Sequence, residues 1–121
     1  MAIESKPLVC DLSLLSGSER DRLMELSDEL FGGAQEVRKL SDGYEFRYRD
    51  ASGELIAKLA QWISLDRQCC SFLKHGIFTE PHRDHAWLHL TGPEGARESI
   101  AADVERLLPG DVALDDLRIT D

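Results

Sequence analysis

The chain has 121 residues, which suits one domain with a packed core and leaves too little for two. Its 14 Lys and Arg stand against 23 Asp and Glu, a net charge of −9. That balance offers no basic face to neutralise phosphates, so nucleic acid is excluded as an expected partner, and it disfavours anionic membrane surfaces.

Leu8–Leu12 reads as a first short strand carrying Cys10. Ser16 with Glu19 three residues on is a capping-box signature. The helix it opens places Leu23, Leu26 and Leu30 on one face and stops at Gly32-Gly33. Two strands follow, near Glu36–Leu40 and Tyr44–Arg49, joined by Asp42-Gly43 as a hairpin signal. In the second of them Tyr44, Phe46 and Tyr48 alternate with charged residues. A second helix is expected from about Ser52 to Cys69, then strands at Phe72–Thr79 and His85–Thr91. Thr91-Gly92-Pro93-Glu94 opens a last helix with Ile100, Val104, Leu107 and Leu108 on its apolar face, ended by Pro109-Gly110. The tail from Val112 either adds a strand or lies loose. These elements predict one α+β domain over residues 1–121, a two-layer sandwich. Its mostly antiparallel sheet would carry helices on one face, with a ferredoxin-like βαββαβ core plus an extra strand and a C-terminal helix.

The second helix holds an anomaly. At about 100° per residue, Leu55, Leu59 and Ile63 form an apolar stripe, with Ile56 and Trp62 further out. Asp66 and Cys70 fall near the middle of that stripe and Cys69 at its edge. A carboxylate there conflicts with burial, and such conflicts tend to mark functional or strained positions. A helix that loosens after Leu65 is the plainer alternative. If Asp66 is buried, its candidate partners are Arg67, backbone amides of the next strand, Tyr44 or Tyr48.

"DRQCCSFLKH" places two of the three cysteines side by side. Successive helical residues point about 100° apart, so both can hardly be pure core. A disulfide between neighbours would bend the peptide and is rejected as a resting bond. Three is an odd number, and free thiols are expected in the cytoplasm. No stretch is apolar enough for a membrane span, and the N-terminus lacks the pattern of a secretory signal, so that location is the expectation. Thiolates suit soft ions. Cys10, Cys69 and Cys70 with Asp66 make a candidate site for mercury, trivalent arsenic or zinc. The histidines give less. His85 and His89 share a strand face roughly 13 Å apart, too far for one ion. His82 and His85 straddle a loop and could meet, and the plainer reading of all four, His75 included, is a polar hairpin tip with strand residues facing solvent.

"LVCDLSLL", "RQCCSFL" and "WLHLTGPEG" together resemble a small bacterial family with a Cys-Cys-x-Phe motif, a following hairpin and a final helix opened by Gly-Pro-x-Gly. The family is similar to segments fused behind MerR-like metal-responsive regulators. The likeness spans Leu8 to about Leu108, with Ser71 where many relatives carry Pro, and without a DNA-binding domain. It implies a link to metal or metalloid response, with Cys10, Cys69, Cys70 and an acidic residue at Asp66 as the matching positions. It implies no reaction. Three readings stay open: a soft-metal binding module; a binding or structural module with core cysteines; and a thiol-redox enzyme using the adjacent pair, with Asp66 handling protons. A protein partner or a second copy of the chain is compatible with each.

Overall fold

The computed structural model describes residues 8–120. Helix α1 spans Gly17–Gly32 and both halves of the Ser16/Glu19 capping box are formed. Leu23, Leu26 and Leu30 are buried along it as its spacing requires, and Phe31 joins them. Strands β1 (Glu36–Leu40) and β2 (Gly43–Tyr48) form a hairpin, and helix α2 runs Gly53–Cys69 from a Ser52 cap. Strands β3 (Lys74–Thr79) and β4 (Ala86–Thr91) form a second hairpin. Helix α3 is shorter than expected. It covers Ala96–Val104, begins at Gly95 in the left-handed region (φ 94°), and hands over to a 3-10 turn at Glu105–Leu107. The tail makes a 3-10 turn at Leu114–Asp116 and one parallel bridge, Ile119 to Lys39, on the edge of β1.

The sheet is antiparallel throughout, in the order β1-β2-β4-β3. Two expectations need correction here. Residues Leu8–Leu12 form no strand; they run as an irregular segment into a 3-10 turn at Leu12–Leu14. The sheet also lacks the ferredoxin-like order, in which the first strand lies centrally. β4 fills that slot between β2 and β3. The physical reason is supply of backbone partners. β4 follows β3 through a short turn and pairs with it directly, then offers its other edge to β2. That saturates the place the N-terminal segment would have taken.

The register puts Tyr44, Phe46 and Tyr48 beside Leu90, Leu88 and Ala86 on one face, with His75 and Ile77 of β3 continuing the rows. This face packs with Leu26, Leu30, Phe31, Leu59, Trp62 and Ile100 of the helices in one apolar cluster. The opposite face carries polar and aromatic side chains. Glu45 pairs with His89 at 2.7 Å, and the Arg38 guanidinium lies 4.8 Å from the centre of the Trp87 ring.

One glycine is fixed by this packing. A Cβ on Gly43 would collide with the Leu90 carbonyl oxygen and lie 2.7 Å from Thr91 Cα, both backbone atoms of the paired strand. Gly43→Ala is expected to cost about 2 kcal/mol through strand displacement. A urea denaturation midpoint unchanged from wild type would refute the contact.

Candidate metal and thiol site

The site forms where the C-terminus of α2 meets the N-terminal segment and α3. The helix ends at Cys69, and the Cys70 N–H caps it by donating to the Asp66 carbonyl at 2.7 Å. Cys70 and Leu73 then close a turn into β3, with the Leu73 N–H donating to the Cys70 carbonyl at 3.2 Å. That turn keeps Cys70 buried beyond the helical stripe. The N-terminal segment is held against the same helix end by the Asp11 N–H, which donates to the Cys69 carbonyl at 2.9 Å.

This docking brings all three cysteines together. Cys10 and Cys70 are joined as a disulfide across 60 residues of sequence, and Cys69 is the free thiol. The expectation of three free thiols, with Cys10 on a central strand, is therefore corrected. Cys10 lies half-buried in the irregular segment, and docking of that segment, which the sequence does not announce, aligns it with Cys70. Cys69 Sγ lies 3.8 Å from Cys70 Sγ and its thiol donates to the Asp66 carbonyl at 3.4 Å.

Asp66 is buried, 8% exposed, so the carboxylate in the apolar stripe belongs to the fold. None of the anticipated partners serves it. The Tyr44 and Tyr48 hydroxyls are buried without a hydrogen-bond partner. His75 takes the role, with Nε2 2.7 Å from Asp66 Oδ2. The histidine sits on the inward row of β3, where its ring also meets the edge of Trp62 at 5.8 Å between centroids. Asp66 Oδ1 lies 3.5 Å from Cys70 Sγ. In the disulfide that sulfur carries no proton; once reduced, it becomes a thiol able to donate across the same distance.

A second carboxylate that sequence reading missed, Asp103 of α3, places Oδ2 3.5 Å from Cys10 Sγ. Desolvation, then the charge of Asp66, raises its pKa, with Arg106 acting the other way. Two donor groups result: Cys10, Cys70 and Asp103, and Asp66, Cys69 and Cys70, each with its ligand atoms within 4.8 Å of one another. Cys70 belongs to both. No histidine enters either group. The signal for Asp103 was faint. It lies one turn after the apolar Ile100 and next to Val104, but nothing in the spacing links it to Cys10.

The cysteines and both carboxylates open onto a cavity of about 340 Å³ between α1, α2, α3 and the N-terminal segment. Its walls include Leu12, Leu23, Phe31, Trp62, Leu73 and Ile100, while Val9 and Met24 stand exposed at its rim. Neither family models nor curated proteins nor solved structures match this chain.

Burial, and next the negative charge of Asp66, push the Cys69 thiol up to about 11. The fold thus holds this thiol neutral. At pH 8 a thiolate fraction set by that value is about two orders of magnitude below that of an ordinary thiol at ~8.5. Iodoacetamide is expected to alkylate Cys69 in the folded, disulfide-intact protein correspondingly slowly. The stability consequence has a definite sign. The unfolded thiol ionises above about pH 8.5 while the folded one keeps its proton to about 11, so the Cys69 contribution is full below the first value and lost across that window. A wild-type denaturation midpoint that falls no faster there than that of Cys69→Ser would contradict it.

Proposed function

We propose that the reduced protein binds a soft metal or metalloid ion through the thiolates of Cys10, Cys69 and Cys70, with Asp66 as a nearby oxygen donor. The observation that carries this reading is the convergence of three sulfurs and two carboxylates, distant in sequence, on Cys70. Opening the disulfide releases Cys10 and Cys70 beside Cys69. Thiolate donors favour thiophilic ions, and three of them suit trigonal mercury(II) or arsenic(III). With Asp66 added, the set suits tetrahedral zinc. The net charge of −9 assists a cation. The resemblance to segments of MerR-like metal-responsive regulators points the same way.

A bound ion changes the protonation argument for Cys69. Metal coordination replaces the thiol proton, so affinity should rise with pH as the thiols deprotonate. The test is titration of the reduced, reductant-free protein with mercury(II), arsenite and zinc, following thiolate-to-metal absorbance. Each of Cys10→Ser, Cys69→Ser and Cys70→Ser is expected to weaken the preferred ion at least tenfold. Affinity no better than that of the triple serine variant would sink the reading and leave the cysteines as a structural staple plus core.

The disulfide itself favours a second reading, thiol–disulfide exchange. In it Cys69 attacks the Cys10 sulfur, forms a Cys10–Cys69 bond and releases Cys70 as the leaving thiolate. Such exchange depends on the thiolate fraction of the attacking group. The raised Cys69 pKa works against it, because the attacking thiolate must form before any bond is made, whereas a metal ion displaces the thiol proton as it binds.

A further inference from the structure

The space beside the sulfurs is larger than a bare ion needs. An ion held about 2.3 Å from sulfur takes roughly the room of one water, ~30 Å³. The cavity here measures about 340 Å³, and most of its wall is apolar. An enclosed apolar space of ~150 Å³ already accepts benzene in other proteins, and pockets of ~300 Å³ and above are those that take small organic ligands. The thiols are not scattered around the cavity. Cys10, Cys69 and Cys70 meet it together with Asp66 and Asp103, while Leu23, Phe31 and Trp62 line it from α1 and α2.

We infer that the ligand of this site is an organic-substituted soft cation: a mercury(II) centre carrying one apolar group of about phenyl size. This deepens the metal-binding proposal and rests on it. The metal centre seats at the sulfurs and the organic group fills the cavity. Cys70, common to both donor groups, is the anchoring thiol. The chemistry balances simply. A dithiol reductant opens the Cys10–Cys70 bond, giving two protein thiols and the oxidised reductant. An organomercury cation then replaces the Cys70 thiol proton: the S–H bond breaks, an Hg–S bond forms, and the proton passes to water. The mercury–carbon bond stays intact. The Cys70 thiolate neutralises the single charge of that cation, and the carboxylates of Asp66 and Asp103, each 3.5 Å from a cysteine sulfur, favour the approach of a cation to the site.

The small residues of α3 offer a way to fill the cavity without touching the sulfurs. Ser99 and Ala102 line it, and Ala102 is exposed, so a larger side chain there need not disturb the core. The experiment uses the reduced full chain, freed of reductant, with mercury(II) chloride, methylmercury(II) chloride and phenylmercury(II) acetate as probes. Each is competed off with glutathione, so that intrinsic Hg–S strength cancels, and retention is read by mass spectrometry and by quenching of tryptophan fluorescence. Phenylmercury is expected to withstand at least tenfold more glutathione than methylmercury. Ala102→Phe and Ser99→Leu should each erase that preference while mercury(II) retention stays at the wild-type level. Equal retention of the two organomercurials by wild type overturns the inference, and so does a preference that survives in a folded cavity-filling variant. Mercury(II) held by wild type no better than by the triple serine variant would defeat the metal reading itself. Tight mercury(II) binding without phenyl preference would defeat only the organic-ligand inference.

Discussion

Reducing the Cys10–Cys70 disulfide is expected to lower stability by about 4 kcal/mol. The bridge closes a loop with a sequence separation of 60. The chain-entropy estimate is ~3 kcal/mol for a 15-residue loop and ~4.7 for 100 residues, which places this loop near 4. The loop contains α1, both strands of the first hairpin and all of α2, so cross-linking its ends restricts much of the unfolded chain. Urea denaturation with and without dithiothreitol measures the effect, and Cys10→Ser should behave like the reduced wild type. Cys69→Ser leaves the bridge intact and serves as the control. The slope should also steepen on reduction, because an uncrosslinked unfolded chain exposes more surface. A shift below about 1 kcal/mol would mean that the two sulfurs are not bonded in solution. The proposed function adds a linked expectation. An ion at 100 times its dissociation constant returns about 2.7 kcal/mol to the reduced protein, so metal should offset much of what reduction removes. A reduced protein that no soft ion stabilises would count against the metal reading even if the disulfide prediction holds.

The sequence made parts of this site readable and hid others, for physical reasons. Helical periodicity places Asp66 and Cys70 on the stripe of Leu59 and Ile63, because a 3.6-residue repeat depends on local geometry alone. The Asp66 burial follows from that repeat. The capping box at Ser16 and the alternation of Tyr44, Phe46 and Tyr48 were legible for the same reason. Leu8–Leu12 has the composition of a strand, yet a strand needs a free edge beside it. β4 had already satisfied the inner edges of β2 and β3. Edge competition is a tertiary property that no local pattern reports. The Cys10–Cys70 pairing and the Asp103 contact depend on how the N-terminal segment docks across α2 and α3, and they were invisible in spacing. His75 lay between. Its place on the inward row of β3 could be counted from Ile77, and an inward histidine near a buried carboxylate makes a natural partner.

Asp66→Ala is expected to cost about 3 kcal/mol. The estimate follows from what the substitution strands. Asp66 Oδ2 meets His75 Nε2 at 2.7 Å, and the His75 side chain is only 5% exposed. Removing the carboxylate leaves that ring nitrogen without its partner beneath Trp62. An unsatisfied buried donor costs ~1–3 kcal/mol, and the short contact to a nearly buried ring argues for the upper end of that range. Asp66→Asn keeps the shape and an acceptor for His75, so a loss of about 1 kcal/mol is expected. Its amide group then faces the Cys70 sulfur in place of a carboxylate oxygen 3.5 Å away. The loss of negative charge should weaken cation binding more than it weakens the fold. His75→Phe fills similar space without needing a partner but leaves Asp66 alone in the core. A double-mutant cycle with Asp66→Ala and His75→Phe should therefore show a coupling above about 1 kcal/mol, since either single change exposes the other residue to the same penalty. Chemical denaturation of the four proteins supplies the cycle, with mercury(II) titration of the reduced forms in parallel. Stability of Asp66→Ala within about 0.5 kcal/mol of wild type, together with unchanged ion affinity, would place Asp66 in water at a loosened helix end and detach it from the thiol site.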